Sequence, residues 1–307
     1  MKSFTRISIL LMLVFSFLFT VACSLPFLKH TPVEKEVLAS KKIIALLTDL
    51  GSKDFYVGAM KGIIYSICPE VTVVDITHQI TPYNLQEGSR TLYHTAKEFP
   101  PGTIFVAVVD PVTGTKTRPM VLLTLDGKYF VGPDNGIFSL VFREVGVRKI
   151  YQIKNPKWLR QKGVSKTFHG RDIFAPVAAH LAAGWPVEEV GPEIKAYSLL
   201  SYKPAKRKGN RIEGEVTAAD RYGNVILNIP GKLFEEFGIK RGTKLQVHFK
   251  NKTLMIQWAA TYGEVPEGEG VILISGGGFL ELAVNRGNAA RKYGLEVGEA
   301  VILEKPD

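Results

Sequence analysis

Three aspartates close apolar runs in the first half of the chain. Asp49 follows Ile43–Thr48, Asp75 stands in Val71–Ile76, and Asp110 follows Ile104–Val109. A carboxylate at the carboxyl end of a central parallel strand is where open α/β sheets place ligand chemistry, and there it can hold a ribose diol. Asp49, in Thr-Asp-Leu-Gly (48–51), suits that role; the competing use is capping the next helix. Asp75 could pair with a loop amide, and Asp110, before Pro111, could be a loop-capping turn residue. His169 stands in Phe-His-Gly-Arg-Asp (168–172), beside a glycine that lets backbone approach a ligand closely. Arg171 and Asp172 are placed to pair within that turn. Near the other end, Asp220-Arg-Tyr-Gly-Asn224 combines an aromatic face that can stack on a base with an amide that can read its edge; a plain β-turn is the alternative. Ser275-Gly-Gly-Gly278 offers backbone N–H groups able to hold a carboxylate. No His-x-x-His or Cys-x-x-Cys spacing points to a metal, Gly114-Thr-Lys-Thr117 lacks the rest of a phosphate loop, and no Gly-x-Ser-x-Gly elbow occurs.

The elements that must position these residues follow from periodicity. Ile43–Leu47, Val71–Ile76 and Ile104–Val109 read as buried strands, with helices over Tyr56–Cys68 and Leu85–Phe99 between them. That alternation implies an α/β domain with a parallel, Rossmann-like sheet. Met120–Leu125 and Lys128–Val131 read as a hairpin around Asp126-Gly127. Short helices follow at Ile137–Glu144 and up to Leu181. From about Tyr202 seven short strand-like pieces, Glu213–Ala218, Asn224–Ile229, Lys244–Lys250, Leu254–Trp258, Gly270–Ile274, Phe279–Val284 and Ala300–Glu304, several of them separated by Gly-rich turns, predict a small all-β, barrel-like domain. The expected organisation is an α/β domain over 42–202 and a β domain over 203–307.

The composition is that of a globular protein, 46% hydrophobic and 22% charged over 307 residues. The net charge of +10 is dispersed, with no basic helix or aromatic-basic ladder for nucleic acid. The N-terminus has a charged start (Lys2, Arg6), an apolar run (Ile9–Phe19) and Thr20-Val-Ala-Cys23. This is the layout of a secretory signal, and a Cys after Val-Ala resembles a bacterial lipobox. The expectation is a signal peptide over 1–22, a lipidated Cys23 with a tether to residue 41, and a membrane-anchored lipoprotein on the extracytoplasmic side. Ordinary signal cleavage and an uncleaved anchor are the alternatives. Cys68, in an apolar stretch, reads as a packing thiol.

Seven ordered motifs run along the chain: Thr48–Gly51, Val74–His78, Asp110-Pro with Gly114-Thr115, Pro133–Gly136, Phe168–Asp172, Asp220–Asn224 and Phe279–Ala283. With them, residues 42 to 303 resemble the SAM hydroxide adenosyltransferase family, the adenosine-forming S-adenosyl-L-methionine hydrolases, relatives of fluorinase and chlorinase. The resemblance implies a homotrimer holding S-adenosylmethionine between one subunit's α/β domain and its neighbour's β domain, with no separate cofactor. It also implies a water-activating trio of Asp, Arg and His. Asp110 and His169 match two members. The halogenating relatives carry Tyr where Asp110 stands, so Asp110 implies hydrolysis. The trio's arginine aligns with Thr117; Arg118 matches its neighbour, and Arg118 or Lys116 is left to supply the cation. Thr113 resembles the halogenase pattern, and Tyr83 matches an aromatic on the methionine side. Asp49 would clamp the ribose hydroxyls, Tyr222 and Asn224 of a neighbour the adenine, Asp220 the methionine ammonium and Ser275 its carboxylate.

The sequence-based expectation is hydrolysis of S-adenosylmethionine to adenosine and methionine. A tethered binding lipoprotein without turnover and a halide-using transferase are the alternatives.

Overall fold

Strands β1 (Ile43–Thr48), β2 (Thr72–Thr77) and β3 (Ile104–Val108) lie parallel in the order β2-β1-β3. The structure, a computed structural model, describes residues 42–109 and 117–306. The signal and tether segment with Cys23, and Asp110, Thr113 and Lys116, lie outside the described residues. The sheet continues through β4 (Pro119–Thr124), β5 (Tyr129–Pro133) and β6 (Val147–Gln152) in the order β2-β1-β3-β5-β4-β6. β5 is parallel to β3, whereas β4 runs antiparallel to both β5 and β6. The sheet is therefore mixed, which corrects the expectation of a parallel, Rossmann-like one. The physical reason is the tight hairpin over 125–127, in which the Gly127 N–H donates to the Thr124 carbonyl, the Thr124 N–H donates to the Lys128 carbonyl and Gly127 takes φ 79°; so short a connection can only join antiparallel strands.

Helices α1 (Tyr56–Ile67), α2 (Leu85–Ala96), α3 (Ser139–Glu144) and α4 (Ala175–Ala182) cover the sheet. Alternate residues of each central strand face opposite layers. Ile44, Leu46, Val106 and Val108 pack with Met60, Ile64 and the alanines of α4. Ala45, Leu47, Phe105, Ala107 and Val109 pack with Leu92, Phe138 and Val141. Burial on both sides explains the unbroken apolar runs. Asn84 caps α2, its Oδ1 accepting the Glu87 N–H at 3.0 Å.

The C-terminal strands close on themselves. β8 (Arg211–Ala219), β9 (Val225–Pro230), β13 (Phe279–Val284), β12 (Gly270–Ile274), β11 (Lys252–Trp258), β10 (Lys244–Phe249) and β14 (Ala300–Glu304) form a ring, sealed by antiparallel pairing of β14 with β8. Closure leaves these strands without an unpaired edge, and alternate residues such as Leu245, Val247 and Phe249 point into a core that also holds Phe234 and Trp258. A short strand, β7 (Lys206–Lys208), adds to the outside of β8. Sequence periodicity identified the seven ring strands but not β6 or β7, whose residues Arg148, Lys149 and Lys206–Lys208 mask any apolar signal.

The site-bearing end of β3 depends on close contact between β3 and β5. A Cβ built on Gly132 would lie 2.4 Å from the Ala107 carbonyl oxygen and 3.0 Å from Phe138. Gly132→Ala is expected to cost about 2 kcal/mol or more, as overpacking of a tight core does, read as a lower urea midpoint; an unchanged midpoint would mean the strands part without penalty.

Candidate active site

The order of β2-β1-β3 reverses chain direction across the sheet, so a crevice opens at the carboxyl ends of β1 and β3, where Thr48 is in register with Val108. Open α/β sheets bind ligands at such a point. A cavity of about 310 Å³ occupies it, lined by Asp49, Leu50, Tyr83, Val108, His169 and Gly170 among others. Three of the residues singled out by sequence, Asp49, Tyr83 and His169, are therefore brought together from segments far apart in the chain. Asp110 is the second residue after Val108 in the chain.

The turn carrying Asp49 is pinned from the interior. The buried Thr48 hydroxyl lies 2.9 Å from His78 Nδ1 and accepts the Leu50 N–H at 3.2 Å, while the Gly51 N–H donates to the His78 carbonyl at 2.8 Å. On its other side His78 faces Asp75 at 3.1 Å, and Lys61 reaches the same carboxylate at 2.6 Å. Burial alone would raise the Asp75 carboxyl, but Lys61 and His78 hold it below its ordinary value. Asp75 thus pairs with side chains rather than with a loop amide.

Asp49 does not cap α1, whose N-cap is Phe55 without a side-chain bond. Its Oδ2 instead accepts the Tyr83 N–H at 2.9 Å, and Tyr83 sits at φ 69°, a left-handed conformation that a bulky residue rarely adopts. Such conformations persist where the surroundings over-determine them; here Asp49 does so. The other carboxylate oxygen has no partner among the described residues. The Tyr83 side chain stays 66% exposed at the crevice rim.

His169 precedes a π-helical turn, Gly170–Phe174, in which the Ala175 N–H donates to the Gly170 carbonyl; the turn runs directly into α4. Such single π-turns recur at functional sites. A Cβ on Gly170 would lie 3.1 Å from Met60 Sδ, so a larger residue there would need that side chain to give by a few tenths of an ångström. Asp172 locks the turn. Its fully buried carboxylate takes Arg171 at 2.7 and 2.8 Å, Arg160 at 3.3 Å and the Ser165 N–H at 2.8 Å. Burial would raise this carboxyl, yet the arginines and the amide hold it below its ordinary value. The Arg171–Asp172 pair expected from sequence is present.

The remaining candidates lie elsewhere. Arg118 donates to the buried Asp134 at 2.6 Å and to the Ala196 carbonyl at 2.9 Å, and it does not line the crevice. Asp220, Tyr222 and Asn224 line a separate groove on the barrel together with Tyr262 and Arg286. Asp220 accepts the N–H groups of Tyr222 and Asn224 and the Asn224 side-chain amide, each at 2.9 Å. Asp220 is thus the organiser of a turn, while the Tyr222 ring is left 76% exposed. Ser275 lies in neither hollow. Its hydroxyl donates to the Phe279 carbonyl at 3.0 Å, and the neighbouring Gly277 packs on His94. Sequence reasoning missed Tyr262 and Arg286. The Tyr262 hydroxyl donates to Glu281 at 2.7 Å and, with burial and that carboxylate against it, is pushed up to about 12. Only the tertiary structure reveals that the buried Glu281, inside Phe-Leu-Glu-Leu-Ala, is the partner of this groove residue.

Fold and crevice define the class: a mixed α/β protein with a ligand crevice at its switch point, joined to a closed β-barrel. Comparison with known families narrows this. A model of the SAM hydroxide adenosyltransferase N-terminal domain matches residues 44–191, and one of the corresponding C-terminal domain matches residues 214–302. The chain belongs to the SAM hydroxide adenosyltransferase family. The (R)-S-adenosyl-L-methionine hydrolase of Thermus thermophilus is 36% identical over 270 residues, covering 85% of this chain and 98% of the relative. A fluorinase of Actinoplanes is 32% identical over 291 residues, covering 86% and 97%. The solved structure of an uncharacterized conserved protein from Thermotoga maritima superposes with a TM-score of 0.83 at 38% identity, covering 85% of this chain and all of that one. Among the described residues no helix is long and apolar enough to cross a membrane.

The Asp172 cluster makes a pH prediction. A carboxyl held low in the folded state stabilises it above the unfolded value, near 3.8, and that stability is lost as pH falls through the lower folded value. Asp172→Asn is expected to cost about 3 kcal/mol at pH 7, the scale for breaking a buried pair, and to flatten the acid limb of stability against pH. Parallel acid limbs in denaturation series would exclude the assignment.

Proposed function

We propose that the chain hydrolyses S-adenosyl-L-methionine to adenosine and L-methionine. The observation that carries this reading is the crevice, where Asp49 and His169 meet at the end of β3 two residues before Asp110 in the chain. In the proposed step a water oxygen forms a bond to C5′ as the C5′–sulfur bond breaks. The electron pair leaves with sulfur as the neutral thioether of methionine, and a water proton passes to Asp110. A thioether leaving group needs no acid, and the sulfonium is already activated, so the step calls for an oriented nucleophile and no cofactor. Asp110 accepts the proton and His169 orients the water. Attack of a negative oxygen on a sulfonium annihilates charge, which a pocket poor in water favours.

Asp49 would hold the ribose hydroxyls through the carboxylate oxygen left open by Tyr83. Tyr222 and Asn224 would hold adenine from a neighbouring subunit. The barrel groove and the crevice have no lining residue in common, which fits sites shared between subunits; the resemblance implies that the assembly is a homotrimer. With Asp220 committed to its own turn, its contact with the methionine ammonium would add a bond to an already occupied carboxylate. We further propose that Cys23 carries a lipid that tethers the enzyme to the outer side of a bacterial membrane, on the strength of the N-terminal sequence pattern.

The binding of Arg118 by Asp134 favours a second reading, in which the substrate is held but not turned over, because only Lys116 would then be left to supply the trio's cation. Incubation of the full-length chain with S-adenosylmethionine, with and without chloride, separates the readings. Equal amounts of adenosine and methionine, independent of halide, are expected. Intact substrate with measurable binding would replace hydrolysis by the second reading, and a 5′-chloro nucleoside would replace it by halide transfer. Asp110→Asn is expected to lower kcat by roughly 10²–10⁴, the usual range for a positioned acid–base group; full turnover would remove Asp110 from the mechanism.

A further inference from the structure

A second cavity lies within one chain, between α2 and the barrel, apart from both the crevice and the Asp220 groove. It has a volume of about 100 Å³ and a largely apolar lining that includes Leu140, Ile226, Phe279 and Val297. Three charged side chains also reach it, Arg90 from α2, Lys203 from the connector and Glu215 from β8. Arg90 is the unexplained one. It is partly withdrawn from water, and burial pulls its pKa down, but it forms no hydrogen bond or ion pair with a described residue. The carboxylate acting on it, Glu87, is engaged at the start of α2, where it accepts the Thr81 N–H at 3.1 Å. A guanidinium is always charged, and a charge withdrawn from water without a partner is costly. Beside it stands His94, whose Nδ1 is buried with no hydrogen-bond partner. The two cations against one carboxylate leave the lining with one positive charge in excess, which matches a single carboxylate better than a doubly charged phosphate.

We propose that this cavity binds a small monocarboxylate with an apolar body. Its carboxylate would sit on Arg90 and Lys203 and its hydrocarbon against Leu140, Ile226, Phe279 and Val297. The volume of about 100 Å³ restricts the occupant to a short-chain acid, for which a six-carbon acid serves as the probe. Burial pushes His94 down to about 4, with Lys97 and Arg90 acting in the same sense, so its ring is neutral at pH 7 and adds no charge. The lining comes from both halves of the chain, Arg90 and Leu140 from the α/β part and Ile226, Phe279 and Val297 from the barrel. A bound acid therefore ties the halves together, and its effect reaches the Ser275–Gly278 turn through His94, on which Gly277 rests.

The test uses the full-length chain with hexanoate, hexanamide and inorganic phosphate, read by calorimetric titration and thermal unfolding. Hexanoate is expected to bind saturably and to raise Tm, as a ligand that binds only the folded state must. Hexanamide and phosphate are expected to bind at least roughly tenfold more weakly, about 1.4 kcal/mol. Arg90→Gln is expected to weaken hexanoate by a similar factor, and Ile226→Trp, which fills the apolar end, to abolish binding. Asp49→Asn is expected to leave it unchanged, which separates this site from the crevice. Should Arg90→Gln not fold, Lys203→Gln and Ile226→Trp carry the same test. The proposal fails if hexanamide or phosphate binds as well as hexanoate, if hexanoate does not saturate by about 50 mM, or if binding survives both the charge and the cavity-filling variants.

Discussion

The structure depends on one topological constraint, the reversal of strand order around β1. Because β2 lies on one side of β1 and β3 on the other, α1 and α2 are sent to opposite faces of the sheet, and the carboxyl ends of β1 and β3 are left uncovered side by side. Thr48 in register with Val108 fixes that opening. The crevice is consequently not carved by the loops that line it. It is a gap that parallel pairing with helices on both faces must leave, and the loops bring Asp49, Tyr83 and His169 to it.

Each of those residues is held by a different device. Asp49 rides on a turn fixed by the buried Thr48–His78 contact, Tyr83 is kept in a left-handed conformation by the Asp49 carboxylate, and His169 is placed by a π-turn locked through Asp172. These devices are polar and partly buried, where hydrogen bonds gain strength but a missing partner costs more. A site built this way has its groups positioned by the fold itself, the arrangement that electrostatic and positional catalysis use. The same economy gives several other charged residues partners within the fold. Asp75, Asp134 and Asp172 each bind cations, and Arg118 belongs to one of those pairs.

The barrel is a separate solution to the burial problem. Closure through β8 and β14 removes sheet edges and encloses an aromatic and aliphatic core, so the outer loops are free to vary. The Asp220 turn and the Ser275–Gly278 turn are two such loops, and they lie in different places on the barrel surface. Their separation within one chain means that groups far apart in sequence and fold have to be gathered by assembly if they serve one ligand.

Much of this was legible in the sequence. Unbroken apolar runs ending in Asp or Thr gave the central strands, alternating runs with Gly turns gave the seven strands of the ring, and Thr-Asp-Leu-Gly with Phe-His-Gly-Arg-Asp marked the crevice residues. These signals survive in one dimension because burial periodicity and turn chemistry are local. The hairpin signal gave the antiparallel pairing of β4 with β5, but the place of β4 between β5 and β6 was hidden, since strand order depends on contacts between segments distant in sequence. Asp49 as the partner of the Tyr83 amide, Arg118 as the partner of Asp134, and Glu281 under Tyr262 were hidden for the same reason. The sequence by itself determined which residues are candidates for chemistry and which elements bear them. The tertiary structure decided which of those residues meet, because only folding reveals which charges are already neutralised by a partner and which are left open to a ligand.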